Sequence, residues 1–484
     1  MQRRDFLRSA AAAGAAALVG PKIPDAFGRL RLPGGSILDL PASQAPIDTV
    51  VVCMMENRSF DHYLGWLAND ETYLEAGRSR YGRRFRIDAD NSRAYSAPNG
   101  EVVPTFHLGT TPEFENPYRG CGFRDPGHGW NAGRVQRDRG FLAQGSGNDE
   151  FALGYFEADD LPFYSSIARR FTVLDRYHCS ILGPTFPNRE YMHAAQSGGI
   201  KNNAFPNEVG FPTGFPWPTI WDLLGAAGVP ARYYYSDLPF TFLWGTHLSS
   251  ISSTLPNYFE DASAGTLPNV SFVDPGFFGD LRTDEHPHGD VRDGQRFVYE
   301  CLKAFVESPH WERGLFILTY DEWGGFFDHK RPPRLRDDRA AADDDQNFGQ
   351  AGFRVPTRLI SPFARPGFVD HTLYDHTSIL RFLEWRFLGA PAHGRGGAGA
   401  SWYLTSRDRH ANNIGASLLP DNSDPAFDVG TIGDPDPASP PCGAELTAAA
   451  RAERPMHDLE RGLYNGYFES VGFRDLPTPY FKAR

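Results

Sequence analysis

The sequence predicts an α/β fold in which helices cover both faces of a mainly parallel sheet. Short, almost wholly apolar runs such as IDTVVVCMM (47–55) and GLFILTY (314–320) are typical of strands buried on both faces. These runs alternate along the chain with segments of helical periodicity, the order that a parallel sheet with covering helices requires. The 484 residues, 40% of them hydrophobic, suffice for one large domain with insertions or for two domains.

Each element follows from its local pattern. The first strand runs directly into a short helix in SFDHYLGWL (59–67), and the amphipathic segment DGQRFVYECLKAFVESP (293–309) predicts a longer helix that Pro309 ends. The other predicted elements are, in chain order, a helix in LPFYSSIARRF, a strand and loop in FTVLDRYHCS, a helix ending at glycine in TIWDLLGAAG, a strand in ARYYYS, the strand GLFILTY, a strand in VPTRLISP and a helix in HTSILRFLEWRFLG.

The ends of the chain differ in composition from the centre. The first residues, MQRRDFLRSAAAAGAAALVG, place two arginines before a short Ala-rich stretch, which predicts a twin-arginine export signal over residues 1–30. We therefore expect a periplasmic, cell-surface or secreted protein, and no later segment looks long and apolar enough to cross a membrane. The main domain is predicted over 45–390 with cap insertions near 72–150 and 200–290, and the Gly-, Asp- and Pro-rich residues 391–484 are predicted to wrap around it.

Charge and cysteine content exclude two classes of function. The net charge of −12 argues against a nucleic-acid binder, although a local metal could still attract a phosphorylated substrate. The five cysteines are scattered without a CxxC pair, which excludes a zinc knuckle. An exported protein could form one or two disulfides, while Cys53 in the first strand is expected to be a buried free thiol. The oligomeric state is left open.

Three strand ends carry polar residues. In parallel α/β sheets the working residues lie at the carboxyl ends of the strands, which draws attention to Glu56 with Asn57, to Thr185, and to Asp321 with Glu322. Each has an ordinary alternative, because Asn57 or Thr185 could cap a helix and Asp321 could belong to a turn. Two adjacent carboxylates, however, repel each other, and a bound cation is the usual way to keep both ionised.

The ligand types indicate which metal would bind. Oxygen ligands from Asn57, Thr185, Asp321 and Glu322 favour Mg²⁺, Ca²⁺ or Mn²⁺, whereas recruitment of a histidine would favour Zn²⁺. The sequence thus predicts a divalent metal ion without fixing its identity. Four further residues are weaker candidates for the site, namely His288, Asp290, Asp328 and His329.

Five stretches also resemble a known family. They are VVVCMMENRSFDHYLG, GPTFPNREYMH, LPNVSFVDP, TYDEWGGFFDH and RVPTRLISPFARPGFVDHTLYDHTSILRFLEWRF. Together they are similar, from about 47 to 390, to the bacterial phosphoesterase family of secreted phospholipases C and acid phosphatases, within the alkaline-phosphatase-like superfamily. The resemblance implies a metal held by Glu56, Asn57, Asp321 and Glu322, and Thr185 as nucleophile and ligand. His128, in DPGHGW, and His286, in DEHPHGD, match histidines that line the pocket.

The predicted function is therefore an exported, metal-dependent hydrolase of phosphate esters, similar to phospholipase C. A phosphate ester needs an in-line nucleophile, charge neutralisation on its oxygens and a protonated leaving group. Thr185 would form a phospho-enzyme intermediate, and His128 or His286 would assist the leaving group. The expected partner is a phosphate ester such as a phospholipid. An acid phosphatase, or a non-catalytic secreted binding protein with the same fold, are the alternatives.

Overall fold

The buried apolar runs assemble into one eight-stranded sheet. The computed structural model describes residues 34–110, 116–278, 282–394, 396, 401–421, 427–431, 435 and 458–473. Its strands are β1 (Thr49–Met55), β2 (Ala94–Ser96), β3 (Val102–Pro104), β4 (Phe106–His107), β5 (Gly154–Tyr155), β6 (Thr172–Leu174), β7 (Ala231–Tyr235), β8 (Ser252–Thr254), β9 (Val270–Asp274), β10 (Gly314–Tyr320), β11 (Thr357–Ile360) and β12 (Val369–Asp370).

The order of strands in the sheet is β12-β6-β11-β10-β1-β9-β7-β8. Seven of these strands run in one direction, and β11 lies antiparallel between β10 and β6. The central strand β1 pairs in parallel with β10, where Val51 is opposite Phe316, and with β9, where Val52 is opposite Phe272. All residues of β1 and β10 are buried, as their unbroken apolar runs predict. The α/β fold with a mainly parallel sheet is thus confirmed.

The helices follow the predicted order. They are α1 (Phe60–Leu64), α2 (Glu71–Tyr81), α3 (Trp130–Arg139), α4 (Pro162–Arg170), α5 (Thr185–Ala194), α6 (Ile220–Ala226), α7 (Leu255–Ala264), α8 (Val291–Val306), α9 (His376–Leu388), α10 (Ser406–His410), α11 (Asp458–Tyr464) and α12 (Tyr467–Ser470). Helix α8 begins after Asp290, whose side chain accepts a hydrogen bond from the Arg292 amide, and it ends just before Pro309. Helix α9 ends at Gly389, which has a φ of +84°.

Two of the predicted insertions contain regular structure. The stretch near 200–290, predicted as a cap, supplies β7, β8 and β9 to the central sheet, so this part of it belongs to the core. The stretch 72–150 contains most of α2, all of α3 and the two-stranded sheet β2–β3, and its polar sequence gave no clear sign of either helix. Whether the remaining residues cover the active edge of the sheet stays a prediction.

The chain ends are described only in part. The predicted export signal at 1–30 lies outside the described residues. From the predicted wrap at 391–484, Arg407 forms ion pairs with Asp337 and Asp375, and the Tyr467 hydroxyl donates to the carbonyl of Phe242. Among the helices that the structure describes, none combines the length and the apolar character needed to cross a membrane. Cys53, Cys179 and Cys301 are buried free thiols, as predicted for Cys53, and Cys121 is disulfide-bonded.

Candidate active site

The register of the central strands brings two polar pairs together. Because Met55 of β1 lies opposite Tyr320 of β10, the residues that follow, Glu56 with Asn57 and Asp321 with Glu322, leave the sheet side by side. The amide N–H of Asn57 donates to Asp321 Oδ1 at 2.9 Å, and the amide of Asp321 donates to the carbonyl of Met55 at 3.0 Å. All four side chains are completely buried. We call these four residues the rim cluster.

The backbone at the rim cluster takes a conformation that few residues tolerate. Asn57 has a φ of +58°, in the left-handed region that Asn populates more readily than most residues. Gly324, with a φ of +64°, approaches so closely that a Cβ there would lie 2.1 Å from the Asn57 carbonyl oxygen. Asn57 does not cap α1, contrary to one expectation, because Ser59 accepts the hydrogen bond from the His62 amide. The conformation of Asn57 therefore serves the site rather than the helix.

Thr185 is the first residue of α5 and points its hydroxyl towards the rim cluster. The N-cap of α5 is Pro184, which has no side-chain cap, and Thr185 Oγ1 donates to Glu56 Oε2 at 3.4 Å. Asn188 fixes the preceding loop, since its side chain donates to the carbonyls of Ile181, Gly183 and Pro184 and accepts from the Ile181 amide. The alternative of Thr185 as a simple cap is thus wrong, and its hydroxyl is held at the carboxyl edge of the sheet.

A buried arginine, Arg189, holds Glu56 of the rim cluster in place. Arg189, one turn along α5 from Thr185, donates from Nε to Glu56 Oε1 at 2.8 Å and from Nη1 to Asp274 Oδ1 at 2.9 Å. Asp274 ends β9 and also accepts a hydrogen bond from the Tyr233 hydroxyl. Burying the guanidinium between two carboxylates fixes Glu56 in place. The positive charge of Arg189 is therefore already balanced by the carboxylates of Glu56 and Asp274.

The two predicted histidines lie beside each other at the same edge. The rings of His128 and His286 are 5.5 Å apart, and Asn57 Nδ2 is 3.5 Å from His128 Nε2. Nδ1 of each ring donates to a backbone carbonyl, of Pro126 for His128 and of Pro287 for His286, which leaves Nε2 of each ring available for other contacts. Asp125 lies close to both histidines. One potential metal-ligand atom from each of the three residues lies within 4.8 Å of the other two.

Several oxygens of the rim cluster fit a cation. Asn57 Oδ1, Asp321 Oδ2 and Glu322 Oε1 are buried and have no hydrogen-bond partner among the described residues. Leaving such atoms without a partner is costly, and a bound cation is one way to satisfy all three. Burial and the neighbouring carboxylate of Glu56 raise the pKa of Asp321 to about 7, and burial together with Asp321 raises the pKa of Glu322 well above its ordinary value. A divalent metal would reverse both shifts.

The weaker candidates have other roles. Asp328 and His329 belong to a separate group with Asp61 and Arg354, which we call the arginine cluster. There Arg354 pairs with Asp61 and Asp328, and His329 Nδ1 lies 2.6 Å from Asp61 Oδ2. Although Asp61, Asp328 and His329 have metal-like spacing, Arg354 already supplies the positive charge. Asp290 caps α8 and pairs with Arg292, and His288 Nε2 is 2.8 Å from the Phe123 carbonyl, so both serve local structure.

Sequence reasoning missed four residues of this region. Asp125 stands three positions before His128 in DPGHGW, and its spacing was the only available signal. Arg189 and Asp274 lie inside two of the family-like stretches, but nothing local distinguishes a buried ion pair from a surface one. Asp284, whose carbonyl accepts from the Glu56 amide, is completely buried although its surroundings in sequence are polar.

Comparison with known proteins places the chain among phosphoesterases. Residues 47–388 match the sequence model of the Phosphoesterase family. Non-specific phospholipase C1 of Arabidopsis thaliana is 33% identical over 407 residues, which cover 77% of this chain and 70% of the plant protein. Phospholipase C B of Mycobacterium tuberculosis (strain CDC 1551 / Oshkosh) is 31% identical over 456 residues, which cover 81% of this chain and 82% of the mycobacterial protein.

A solved structure adds a more distant likeness. A protein in the alkaline phosphatase superfamily from Vibrio parahaemolyticus aligns with a TM-score of 0.30 and 11% identity, and the alignment covers 64% of this chain and 82% of that chain. The matched family region begins just before β1 and ends at the last residue of α9. It therefore includes the rim cluster, Thr185 and both histidines.

Proposed function

This chain belongs to the phosphoesterase family and is a phosphoric ester hydrolase, and we propose that it is an exported, metal-dependent phospholipase C that uses Thr185 as its nucleophile. The observation that carries the proposal is the position of the Thr185 hydroxyl. The hydroxyl does not cap the helix but donates a hydrogen bond to Glu56 of the rim cluster. Three other oxygens of that cluster are buried without hydrogen-bond partners among the described residues. A hydroxyl next to a cation site at the carboxyl edge of a sheet suits phosphoryl transfer.

The metal would be held by oxygens of the rim cluster and of Thr185. Asn57 Oδ1, Asp321 Oδ2 and Glu322 Oε1 are its best-supported ligands, since these atoms lack another partner among the described residues. When bound, a divalent metal favours the alkoxide of a hydroxyl and neutralises charge on phosphoryl oxygens. Glu56 is held by Arg189, so it can orient Thr185 through their hydrogen bond as well as contribute charge.

The covalent step follows from the placement of Thr185. Its Oγ forms a bond to phosphorus while the bond from phosphorus to the leaving oxygen breaks, and the hydroxyl proton passes to Glu56, which accepts the hydrogen bond of this hydroxyl. The oxygen of a water molecule then bonds to phosphorus while the bond from phosphorus to Thr185 Oγ breaks, so the phosphate product leaves and Thr185 Oγ regains a proton. The β-branched side chain has few rotamers, which keeps the hydroxyl aimed at the site at little entropic cost.

The two histidines would serve the leaving group. Each ring presents Nε2 towards the site because its Nδ1 donates to a backbone carbonyl. In the protonated state either Nε2 could donate to the departing oxygen, which matters most for alkyl alcohols because they leave poorly as alkoxides. Their closeness to Asp125 also makes them possible metal ligands, in which case Zn²⁺ would be favoured.

The substrate and the destination of the protein are inferred from different features. Relatives named phospholipase C support a phospholipid, whose phosphodiester would be cleaved on the glycerol side. The double arginine before the Ala-rich stretch supports export by the twin-arginine route. A phosphomonoesterase with the same machinery is the alternative activity that must be tested against this one.

A chromogenic assay tests the activity and the metal together. The protein is given p-nitrophenyl phosphate or p-nitrophenyl phosphocholine, each with and without a chelator, and activity is restored with Mg²⁺, Ca²⁺, Mn²⁺ or Zn²⁺. We expect the diester to be hydrolysed faster than the monoester, and the chelator to abolish both activities. A faster monoester reaction would indicate a phosphatase, full activity in chelator would contradict the metal site, and no hydrolysis of either would favour a binding protein.

The nucleophile is tested by substitution and by stereochemistry. Thr185→Val keeps the shape without the hydroxyl, so activity should fall by about a thousandfold or more, whereas Thr185→Ser should retain measurable turnover. Thr246→Val, at an exposed threonine in the 3-10 helix Phe240–Ile251, is the matched control. A phosphothreonine intermediate requires two displacements and net retention at phosphorus. Inversion together with an active Thr185→Val protein would show direct attack by water instead.

A further inference from the structure

A cavity of about 650 Å³ is lined in part by the segments that carry the proposed nucleophile and one of the two histidines. Its lining includes Gly129, the residue after His128, and Pro184, the residue before Thr185, together with Trp130, Lys201, Asn202 and Asp345. The volume lies in the range of about 300–1,000 Å³ that is typical of small-molecule sites. We propose that this cavity binds the substrate headgroup and selects hydroxylated or anionic headgroups, such as phosphoglycerol or phosphoinositol, over trimethylammonium. The inference rests on the proposed function.

The aromatic ring that could bind a quaternary ammonium, Trp130, is already in contact with two cationic side chains of the protein. Choline is recognised by the face of an aromatic ring, often with a carboxylate nearby, and Trp130 and Asp345 offer that combination. Here the ammonium of Lys201 lies 5.4 Å from the centre of the Trp130 ring and 2.9 Å from Asp345 Oδ2. The guanidinium of Arg134 lies 3.6 Å from the same ring. A choline group would therefore meet two cations against the one indole.

The remaining lining mixes apolar side chains with several hydrogen-bond donors. Helix α3 begins at this cavity with Gly129 as its N-cap, and no side chain caps its first N–H groups. The side chains of Asn131 and Asn202 add amide groups. Hydroxyl or phosphate oxygens could satisfy these donors, whereas a trimethylammonium group has no acceptor to offer.

The proposed reaction gives this cavity a headgroup to hold. When Thr185 Oγ bonds to phosphorus, the bond to the glycerol oxygen breaks and diacylglycerol leaves after its oxygen takes a proton. The phosphoryl group and the headgroup stay on Thr185 until water's oxygen attacks phosphorus and the Thr185 oxygen leaves with a proton. A subsite next to Thr185 can therefore contact the headgroup in both displacements, which gives it influence over the rate.

Short-chain lipids test the selectivity without a membrane surface. The full chain with its activating metal is assayed on monomeric dihexanoyl phosphatidylglycerol and dihexanoyl phosphatidylcholine. We expect kcat/KM to favour phosphatidylglycerol by about tenfold or more, and Lys201→Met to lower that ratio by about tenfold, the effect of roughly 1.4 kcal/mol. Lys303→Met is the matched control, because the Lys303 ammonium also lies against an aromatic ring, 5.9 Å from the centre of Tyr299, but on α8. Its ratio should equal that of the wild type.

The possible outcomes separate the two proposals. A wild-type preference for phosphatidylcholine, or a ratio in Lys201→Met within twofold of the wild type, would overturn the headgroup assignment and leave the phospholipase activity standing. Failure to hydrolyse either lipid, with the chromogenic monoester still cleaved, would overturn both. Competitive inhibition of the wild-type protein by glycerol phosphate and by phosphocholine provides the same comparison without a substitution. Stronger inhibition by glycerol phosphate is expected, and stronger inhibition by phosphocholine would contradict the proposal.

Discussion

Two groups of buried acids both take members from the loop after β10, yet their charges are balanced in opposite ways. In the arginine cluster, Asp61 and Asp328 share the guanidinium of Arg354, and His329 adds a second positive group. In the rim cluster, Asp321 and Glu322 receive backbone N–H groups, but each keeps one buried oxygen without a partner among the described residues. Arg189, the nearby cation, is divided between Glu56 and Asp274.

The difference teaches how a metal site can be told from a structural ion network. Both groups contain buried carboxylates near histidines. The arginine cluster has metal-like spacing in Asp61, Asp328 and His329, and the histidines close to the rim cluster have it together with Asp125. A buried acid that the chain itself neutralises has little need of an external cation, whereas an acid left with bare oxygens has a strong one. The rim cluster should therefore respond to metal, and the arginine cluster should respond to pH and to loss of its arginine.

The largest expected effect is on activity, from Asp321→Asn. This change removes a ligand charge, so we expect kcat/KM to fall by about a thousandfold or more, equivalent to about 4 kcal/mol. The metal-free protein should be no less stable than the wild type, because one of several adjacent carboxylates has been neutralised. Metal at a hundredfold excess over Kd should stabilise the wild type by about 2.7 kcal/mol and the variant by much less.

Asp328→Asn is the control from the other cluster. It should lower stability because Arg354 loses a charged partner, while the response to metal is retained. The measurements are thermal unfolding with and without metal and metal content by elemental analysis. An Asp321→Asn protein that binds one equivalent of metal and turns over normally would show that the rim cluster is not the metal site.

The second prediction concerns stability and uses Arg354→Met. Arg354 is completely buried, and its removal leaves Asp61 and Asp328 without their guanidinium. Breaking a buried ion pair from one side typically costs about 3–5 kcal/mol, so the free energy of unfolding should fall by that amount in denaturant titrations. Added metal should not restore the loss. If metal did restore it, the arginine cluster would be a second cation site and the contrast between the two groups would fail.

The central part of the fold could be predicted from the sequence for a physical reason. The short unbroken apolar runs of β1 and β10 are typical of buried strands, and helix α8 has a clear N-cap and amphipathic periodicity. Short strands such as β8 and β12 gave no such signal, because two or three residues do not establish a pattern. The antiparallel direction of β11 was also beyond local reasoning, since direction depends on the path of the connecting loop.

The site was predictable where it follows strand ends. Glu56, Asn57, Asp321 and Glu322 come directly after β1 and β10, and the parallel register forces them together. The distinction between Asp321 and Asp328 was not predictable, because it depends on Arg354, which is contributed from a different part of the chain. Likewise, Arg189 has a fixed position in its helix, but its partner Asp274 ends a strand far away in sequence. Charge balance in a core is a property of the folded chain.

The smallest expected effect is a pH dependence of stability that belongs to His329 alone. Burial by itself would lower the pKa of His329, but hydrogen bonds with Asp61 and Asp88 outweigh it and raise the pKa to about 9. Because this pKa lies above the unfolded value of about 6.5, the stabilisation is fully present below pH 6.5 and is lost as the pH rises through 9. We expect about 2–3 kcal/mol to disappear over that interval, which is less than the ~3.4 kcal/mol of the full pKa difference because solvent screens these partly exposed pairs. Of the other groups around the ring, Asp328 has a pKa that burial raises to about 6, so it titrates mostly below this window.

His329→Gln keeps a hydrogen-bonding side chain without the charge, so it should be less stable than the wild type at pH 6 and should converge with it near pH 10. The difference between the two proteins, measured by denaturant unfolding at each pH, cancels the contribution of titrating groups that do not interact with His329. A difference that stays constant from pH 6 to pH 10 would mean that His329 contributes packing rather than charge, and that Arg354 neutralises the arginine cluster without it.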